Sequence, residues 1–265
     1  MATDGMQRLL DIMVQLRHPD TGCAWDLKQD YRSILPHTLE EAYEVADAIE
    51  SGDRQQLCDE LGDLLFQVVF YCQLAREEGA FEFADVAQAM ADKLVRRHPH
   101  VFADKVAGDS VTALANWEAI KAGERQAKAQ FSALDDVPRA LPGLQRAAKL
   151  QKRAANVGFD WASASQVMDK LDEEVAEVHE AFATEDTQHI LEELGDIMFV
   201  VVNMCRHLDA DPEQVMRAAN EKFEVRFRHM EAALHDYGKD LSSMEIDDLE
   251  AAWQSTKKRL KQSTT

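Results

Sequence analysis

Eight carboxylates fall into two sets with one spacing. Glu41, Glu44, Glu60 and Asp63 form ExxE followed by ExxD, and Glu174, Glu177, Glu193 and Asp196 repeat that pattern 133 residues later. Glu41 to Glu60 is 19 residues, as is Glu174 to Glu193, and Glu60-Leu61-Gly62-Asp63 recurs unchanged as Glu193-Leu194-Gly195-Asp196. Helical residues three apart share a face. The 15 residues between the pairs allow the rest of one helix, a short turn and the start of an antiparallel second helix. Four carboxylates facing one groove repel strongly without a counter-ion. Oxygen-only ligands select Mg²⁺ or Mn²⁺, and Mg²⁺ commonly shares its shell with phosphate oxygens.

A single ExxE is usually a solvated helix face. Thr38-x-x-Glu41 also has the form of a capping box. In the second set Leu171 precedes Glu174 by three and cannot cap, so capping alone does not explain the repeated acid. The second pair is harder to dismiss. Asp196 precedes Ile197-Met198-Phe199-Val200-Val201-Val202, and Asp63 precedes Leu64-Leu65-Phe66. An Asp entering a helix apolar on most sides is expected to be buried, and burial without a partner is costly. Gly62 and Gly195, each costing ~1 kcal/mol relative to Ala in mid-helix, suggest close helix approach.

A basic set also repeats. Lys93 and Arg97 match Lys222 and Arg226, and Trp117 and Lys121 match Trp253 and Lys257. Arg offers a planar fork to phosphate and Lys a point charge, which makes Lys-x-x-x-Arg with Trp-x-x-x-Lys a candidate polyphosphate clamp. The alternative for Lys222 and Arg226 is surface pairing with Glu221 and Glu224. Trp161 and Trp253 could stack on a base, although large aromatics more often pack in cores. His98, His100, His207 and His229 share no metal spacing and read as structural. The chain has no Ser/His/Asp set, P-loop or GxGxxG.

Helices must position these groups. Apolar residues at 39, 42, 43, 46 and 49 predict a helix over 38–50 ended by Gly52. Others are predicted at 57–76, apolar on most sides and expected to be buried, at 83–97, and from about 111 into the 120s. The second half predicts helices at 165–183, 187–208, 212–237 and 247–261. Gln15, Arg17, Gly22 and Trp25 match Gln151, Arg153, Gly158 and Trp161 at an offset of 136. A unit of about 130 residues is a duplicated domain, not a solenoid repeat. The expected organisation is all-α, with domains at 1–125 and 144–265 and a linker at 126–143 that holds Pro138 and Pro142.

The chain carries 29 Lys and Arg against 49 Asp and Glu, a net charge of −20. That opposes non-specific attraction to nucleic acid or anionic membrane. Cys23, Cys58, Cys72 and Cys205 show no CxxC pairing and read as buried thiols of a reducing compartment. The N-terminus lacks a signal-peptide pattern, and the apolar stretches at 64–75 and 197–205 are too short to span a bilayer. A soluble cytoplasmic protein is expected. A ferritin-like di-iron bundle would need ExxH, and Asp63 and Asp196 stand where His would be required. A non-catalytic helical interaction protein would not need Asp within an apolar helix.

The combination resembles the MazG family of nucleoside triphosphate pyrophosphohydrolases. Its carriers are Leu16-Arg17 with Gly22-Cys23-Ala24-Trp25-Asp26, the first acidic set, and Arg96-Arg97-His98-Pro99-His100-Val101-Phe102. Gly158-Phe159-Asp160-Trp161, the second acidic set, and Asn220-Glu221-Lys222-Phe223 with Arg226-Phe227 carry it in the second half. The resemblance implies two tandem all-α helical-bundle domains and a homodimer. It also implies Mg²⁺-dependent cleavage of NTPs and dNTPs between the α and β phosphates, with broad base use and a housecleaning or regulatory role in the nucleotide pool. Glu174, Glu177, Glu193 and Asp196 would hold metal, with equivalents Glu41, Glu44, Glu60 and Asp63. Lys170, Glu173, Lys222, Arg226, Trp253 and Lys257 would support the nucleotide, with Lys93, Arg97, Trp117 and Lys121 as first-half equivalents. Lys170 aligns with His37, so the first half lacks a permanent charge there, and the second half is the expected active one if only one works.

Overall fold

The computed structural model describes residues 2–102, 117, 120, 123–124 and 132–263. The described residues form helices and turns, with no strand among them. The chain divides into two compact units, Met1–Glu124 and Arg125–Thr265.

In the first unit, α1 (Ala2–Leu16) packs on α3 (Arg54–Glu77), which pairs along its length with α2 (Tyr31–Ser51). A fourth helix, α4 (Phe83–Arg97), lies against α3 and is followed by the single turn α5 (Pro99–Phe102). Met13, Ile34, Val69, Phe70 and Leu74 form the core, with Leu9, Leu10, Phe66 and Phe83 packed around it. Helix α1 was absent from the sequence expectation. The start of α2 is also earlier than Thr38. Asp30 caps it, accepting the N–H groups of Arg32 and Ser33 at 2.8 Å, while Ser33 Oγ accepts from Asp30 N. Thr38 therefore lies inside the helix, where its hydroxyl meets Ile34 O and, at 2.8 Å, Tyr71 Oη. The proposed Thr38–Glu41 capping box does not exist.

The second unit holds α6 (Gly143–Ala155), also unforeseen, then α7 (Ala164–Thr184), α8 (Thr187–His207), α9 (Pro212–Asp236) and α10 (Ile246–Ser263). The α7–α8 hairpin is the main pairing, and α6 packs on α8, where Gln151 Nε2 donates to Phe199 O at 2.7 Å. Pro212 occupies the first turn of α9, where its missing N–H is harmless, and Asp211 caps that helix. The expected helix from 111 into the 120s falls mostly outside the described residues.

Both hairpins turn in the same way, and this turn sets the register of the acids. Two residues join α2 to α3 (Gly52-Asp53) and α7 to α8 (Glu185-Asp186). Ser51 and Thr184 return their hydroxyls to Ala48 O and Ala181 O. Asp53 and Asp186 then cap the following helix. The turn residue has positive φ in both halves, 74° at Gly52 and 57° at Glu185. Only the first copy uses the residue for which that region is cheap.

Candidate metal and phosphate sites

Helices α7 and α8 bring Glu174, Glu177 and Glu193 together, with one carboxylate oxygen from each lying within 4.8 Å of the others. Glu174 is 5% exposed, and its Oε2 is buried with no hydrogen-bond partner. Its Oε1 sits 2.7 Å from Lys170 Nζ, which also reaches Glu173 Oε1 at 2.8 Å. Glu193 pairs with His189 at 3.1 Å. Burial and the neighbouring Glu174 charge push the Glu177 carboxyl above its ordinary range, against the pull of Lys170. Hydrogen bonds to Glu173 and Glu174 hold Lys170 in its charged form. A carboxyl raised by an acidic neighbour in this way is short of positive charge. A buried oxygen without a donor, in a group of three acids, fits a hard divalent cation.

The first unit repeats the trio with Glu41, Glu44 and Glu60, again within 4.8 Å. Burial, then the charges of Asp63 and Glu44, push Glu41 upward. Here no lysine stands at the centre. His37 lies 3.5 Å from Glu40 and edge-on to Trp25.

Asp63 and Asp196 differ from expectation. Both are exposed, and neither belongs to its trio. The helices that carry them are not buried on all sides in the single chain. Leu61, Leu65 and Val68 stay exposed beside Asp63, and Met198, Phe199 and Val201 beside Asp196. The inference of burial from an apolar surround therefore fails. The glycines also serve no close approach, since a Cβ on Gly62 or Gly195 would meet nothing within 4 Å.

The basic residues gather elsewhere in the second unit. Lys222, Arg226 and Lys257 line a cleft of about 860 Å³ between α9 and α10, with Val225 and Leu260 among its apolar walls. No acid of the trio lines it. The alternative of pairing with Glu221 or Glu224 is not realised: Glu224 instead pairs with Arg228. Trp253 is half-buried and packs on Phe223, centroid to centroid 5.4 Å, while Phe223 stacks on Phe227. In the first unit Lys93 is half-buried, as are Arg97 and Trp117, and Arg97 is bound to Glu124. Lys121 lies outside the described residues. Neither His189 nor Glu124 was foreseen. His189 stands four residues before Glu193, as Lys170 stands four before Glu174, and that i,i+4 spacing was the available signal.

Other sequence expectations resolve unevenly. Cys72 and Cys205 are buried, but Cys23 and Cys58 are exposed, and all four thiols are free. No helix among the described residues is long and apolar enough to cross a membrane.

Residues 29–102 and 162–231 each match the model of the MazG nucleotide pyrophosphohydrolase domain. The chain is 52% identical over 256 residues to the nucleoside triphosphate pyrophosphohydrolase of Escherichia coli K12, covering 96% of this chain and 97% of that one. It is 41% identical over 251 residues to the nucleoside triphosphate pyrophosphohydrolase/pyrophosphatase MazG of Thermotoga maritima, covering 95% of each. Two matched domains, each holding the hairpin and its acidic trio, and similarity to these relatives over nearly the whole length place the chain in the MazG family of nucleotide pyrophosphohydrolases.

Proposed function

We propose that this chain hydrolyses NTPs and dNTPs to NMP or dNMP and pyrophosphate, with little base preference, using Mg²⁺ (or Mn²⁺) held by the second unit. The observation that carries the site assignment is Glu174, 5% exposed with Oε2 unpartnered amid two further carboxylates. Glu174, Glu177 and Glu193 would hold the cation, with Asp196 reaching it from the same helix face as Glu193. When bound, the ion would neutralise phosphate charge and polarise the anhydride. The chain's own groups do the rest. Lys222, Arg226 and Lys257 would receive the β and γ phosphates, while Trp253 closes the clamp from its aromatic cluster. Lys170 and Glu173 orient Glu174. Water attacks the α phosphorus, a carboxylate of the trio takes its proton, and the bond to the β-bridging oxygen breaks as pyrophosphate leaves.

The trio and the basic cleft are formed separately within one chain. A homodimer would cover the exposed apolar side chains of the second unit and could complete each site. Its charge of −20 supports a protein without nucleic-acid partners, and its four free thiols support a reducing, cytoplasmic setting. The role would be removal of aberrant nucleotides or control of their level.

Product analysis with an NTP panel and Mg²⁺ tests the class. NMP with pyrophosphate supports it, and NDP with orthophosphate refutes it. Glu193→Ala and Asp196→Ala should each abolish turnover while the helical circular dichroism is kept.

A further inference from the structure

In the first unit the basic pair Arg96–Arg97 already grips an anion, the carboxylate of Glu124. Arg96 donates from Nε to Glu124 Oε1 at 2.8 Å, with its Nη2 2.7 Å from the same oxygen. Arg97 donates to Oε2 from Nε at 3.2 Å and from Nη2 at 2.5 Å. Two guanidinium forks thus close on one carboxylate, as they would on a phosphate. The pair holds Glu124 near pKa 2, so it is ionised throughout the neutral range.

The internal repeat shows what is particular about this contact. The offset that aligns Arg97 with Arg226 aligns Arg96 with Val225. The offset that aligns Trp117 with Trp253 aligns Glu124 with Leu260. The first half therefore carries a cation and an anion where the second carries two apolar residues. Those two, Val225 and Leu260, line the cleft that holds Lys222, Arg226 and Lys257. No carboxylate among the described residues pairs with Arg226. An intramolecular partner acts at an effective concentration of roughly millimolar or more, so a tethered carboxylate outcompetes a dilute ligand.

We infer that Glu124 is an internal latch, occupying the Arg96–Arg97 fork so that the first unit does not take a polyphosphate, while Val225 and Leu260 leave Arg226 open to one. The inference rests on reading Lys222, Arg226 and Lys257 as the triphosphate clamp. Removing the latch should expose a second anion site.

Isothermal titration of the full chain with inorganic tripolyphosphate counts sites. Wild type is expected to bind one per chain and Glu124→Leu two, the added site vanishing in Glu124→Leu with Arg97→Ala. Arg226→Ala reads the other clamp separately by removing the wild-type site. If Arg226→Ala changes nothing, the reading of the second-unit cleft fails, and the difference between Glu124→Leu and wild type still reports on the latch. A Glu124→Leu chain with unchanged melting and no added site overturns the inference. If Glu124→Leu melts early, Glu124→Gln keeps the shape without the charge; it should add the site, and failure to do so overturns the inference equally.

Discussion

Lys170 Nζ lies 2.7 Å from Oε1 of Glu174, one helical turn on, and the other oxygen of that buried carboxylate has no hydrogen-bond partner. One oxygen is thus neutralised from within and the other is left without a donor. Lys170→Met would leave the whole carboxylate unpaired, at about 1–3 kcal/mol for a buried polar group. In EDTA the variant should melt several degrees below wild type, and Mg²⁺ should recover most of that loss. A Mg²⁺-induced melting shift no larger in the variant than in wild type would count against a cation at Glu174.

The two trios should not be equivalent in catalysis. Glu174→Gln keeps the shape and removes the charge. Pyrophosphate release should fall at least about 100-fold, since even outer-shell partners of a metal are worth 10- to 100-fold. Glu41→Gln should cost less than about twofold, because its half has His37 in place of Lys170 and its Arg97 is engaged by Glu124. Equal losses in the two variants would show that both units turn over substrate.

Spacing carried the site further than hydropathy did. The interval of 19 residues from Glu41 to Glu60, and from Glu174 to Glu193, encodes a hairpin with a two-residue turn, and the trios follow from it. Apolar neighbours do not place Asp63 and Asp196 inside, because a helix face can be apolar and still uncovered in one chain. The apolar spacing from 39 and the Thr38-x-x-Glu41 pattern point to a helix start at Thr38; the helix begins instead at the Asp30 cap and runs through Pro36. Helices α1 and α6 were missed, although the matched Gln15 and Gln151 lie in them. Glu124 could not be read at all, since a contact across 27 residues leaves no local pattern.

The uncovered apolar face bears on assembly. Met198 is 61% exposed on the helix that carries Glu193. Scattered exposed apolar residues are ordinary, but adjacent ones mark interfaces. Light scattering should give twice 29.9 kDa for wild type. Met198→Asp should shift it to the single-chain mass and lower turnover together with it. A wild-type monomer with full activity would dispose of the homodimer.

The Arg17–Glu77 pair should give the first unit an acid-labile contribution to stability. Arg17 Nη2 lies 2.6 Å from Glu77 Oε2, and Nη1 also donates to Asp26 O at 2.5 Å. The hydrogen bond from Arg17 holds the Glu77 carboxyl below its ordinary 4.5. A lowered folded-state pKa stabilises above the unfolded value and is lost as pH falls through the folded one. Glu77 is about a third exposed, so screening limits Glu77→Gln to about 1 kcal/mol at pH 7. Urea titrations should show that difference intact at pH 6–7 and vanishing as pH drops below 4.5. Arg17→Met should behave otherwise. It also removes the donor to Asp26 O and the guanidinium that lies over the Phe70 ring at 5.5 Å. It should cost about 2–3 kcal/mol at pH 7, and the part owed to the backbone carbonyl and the ring should persist in acid. Identical pH profiles for the two variants would mean that the carboxylate is the only partner that matters to Arg17.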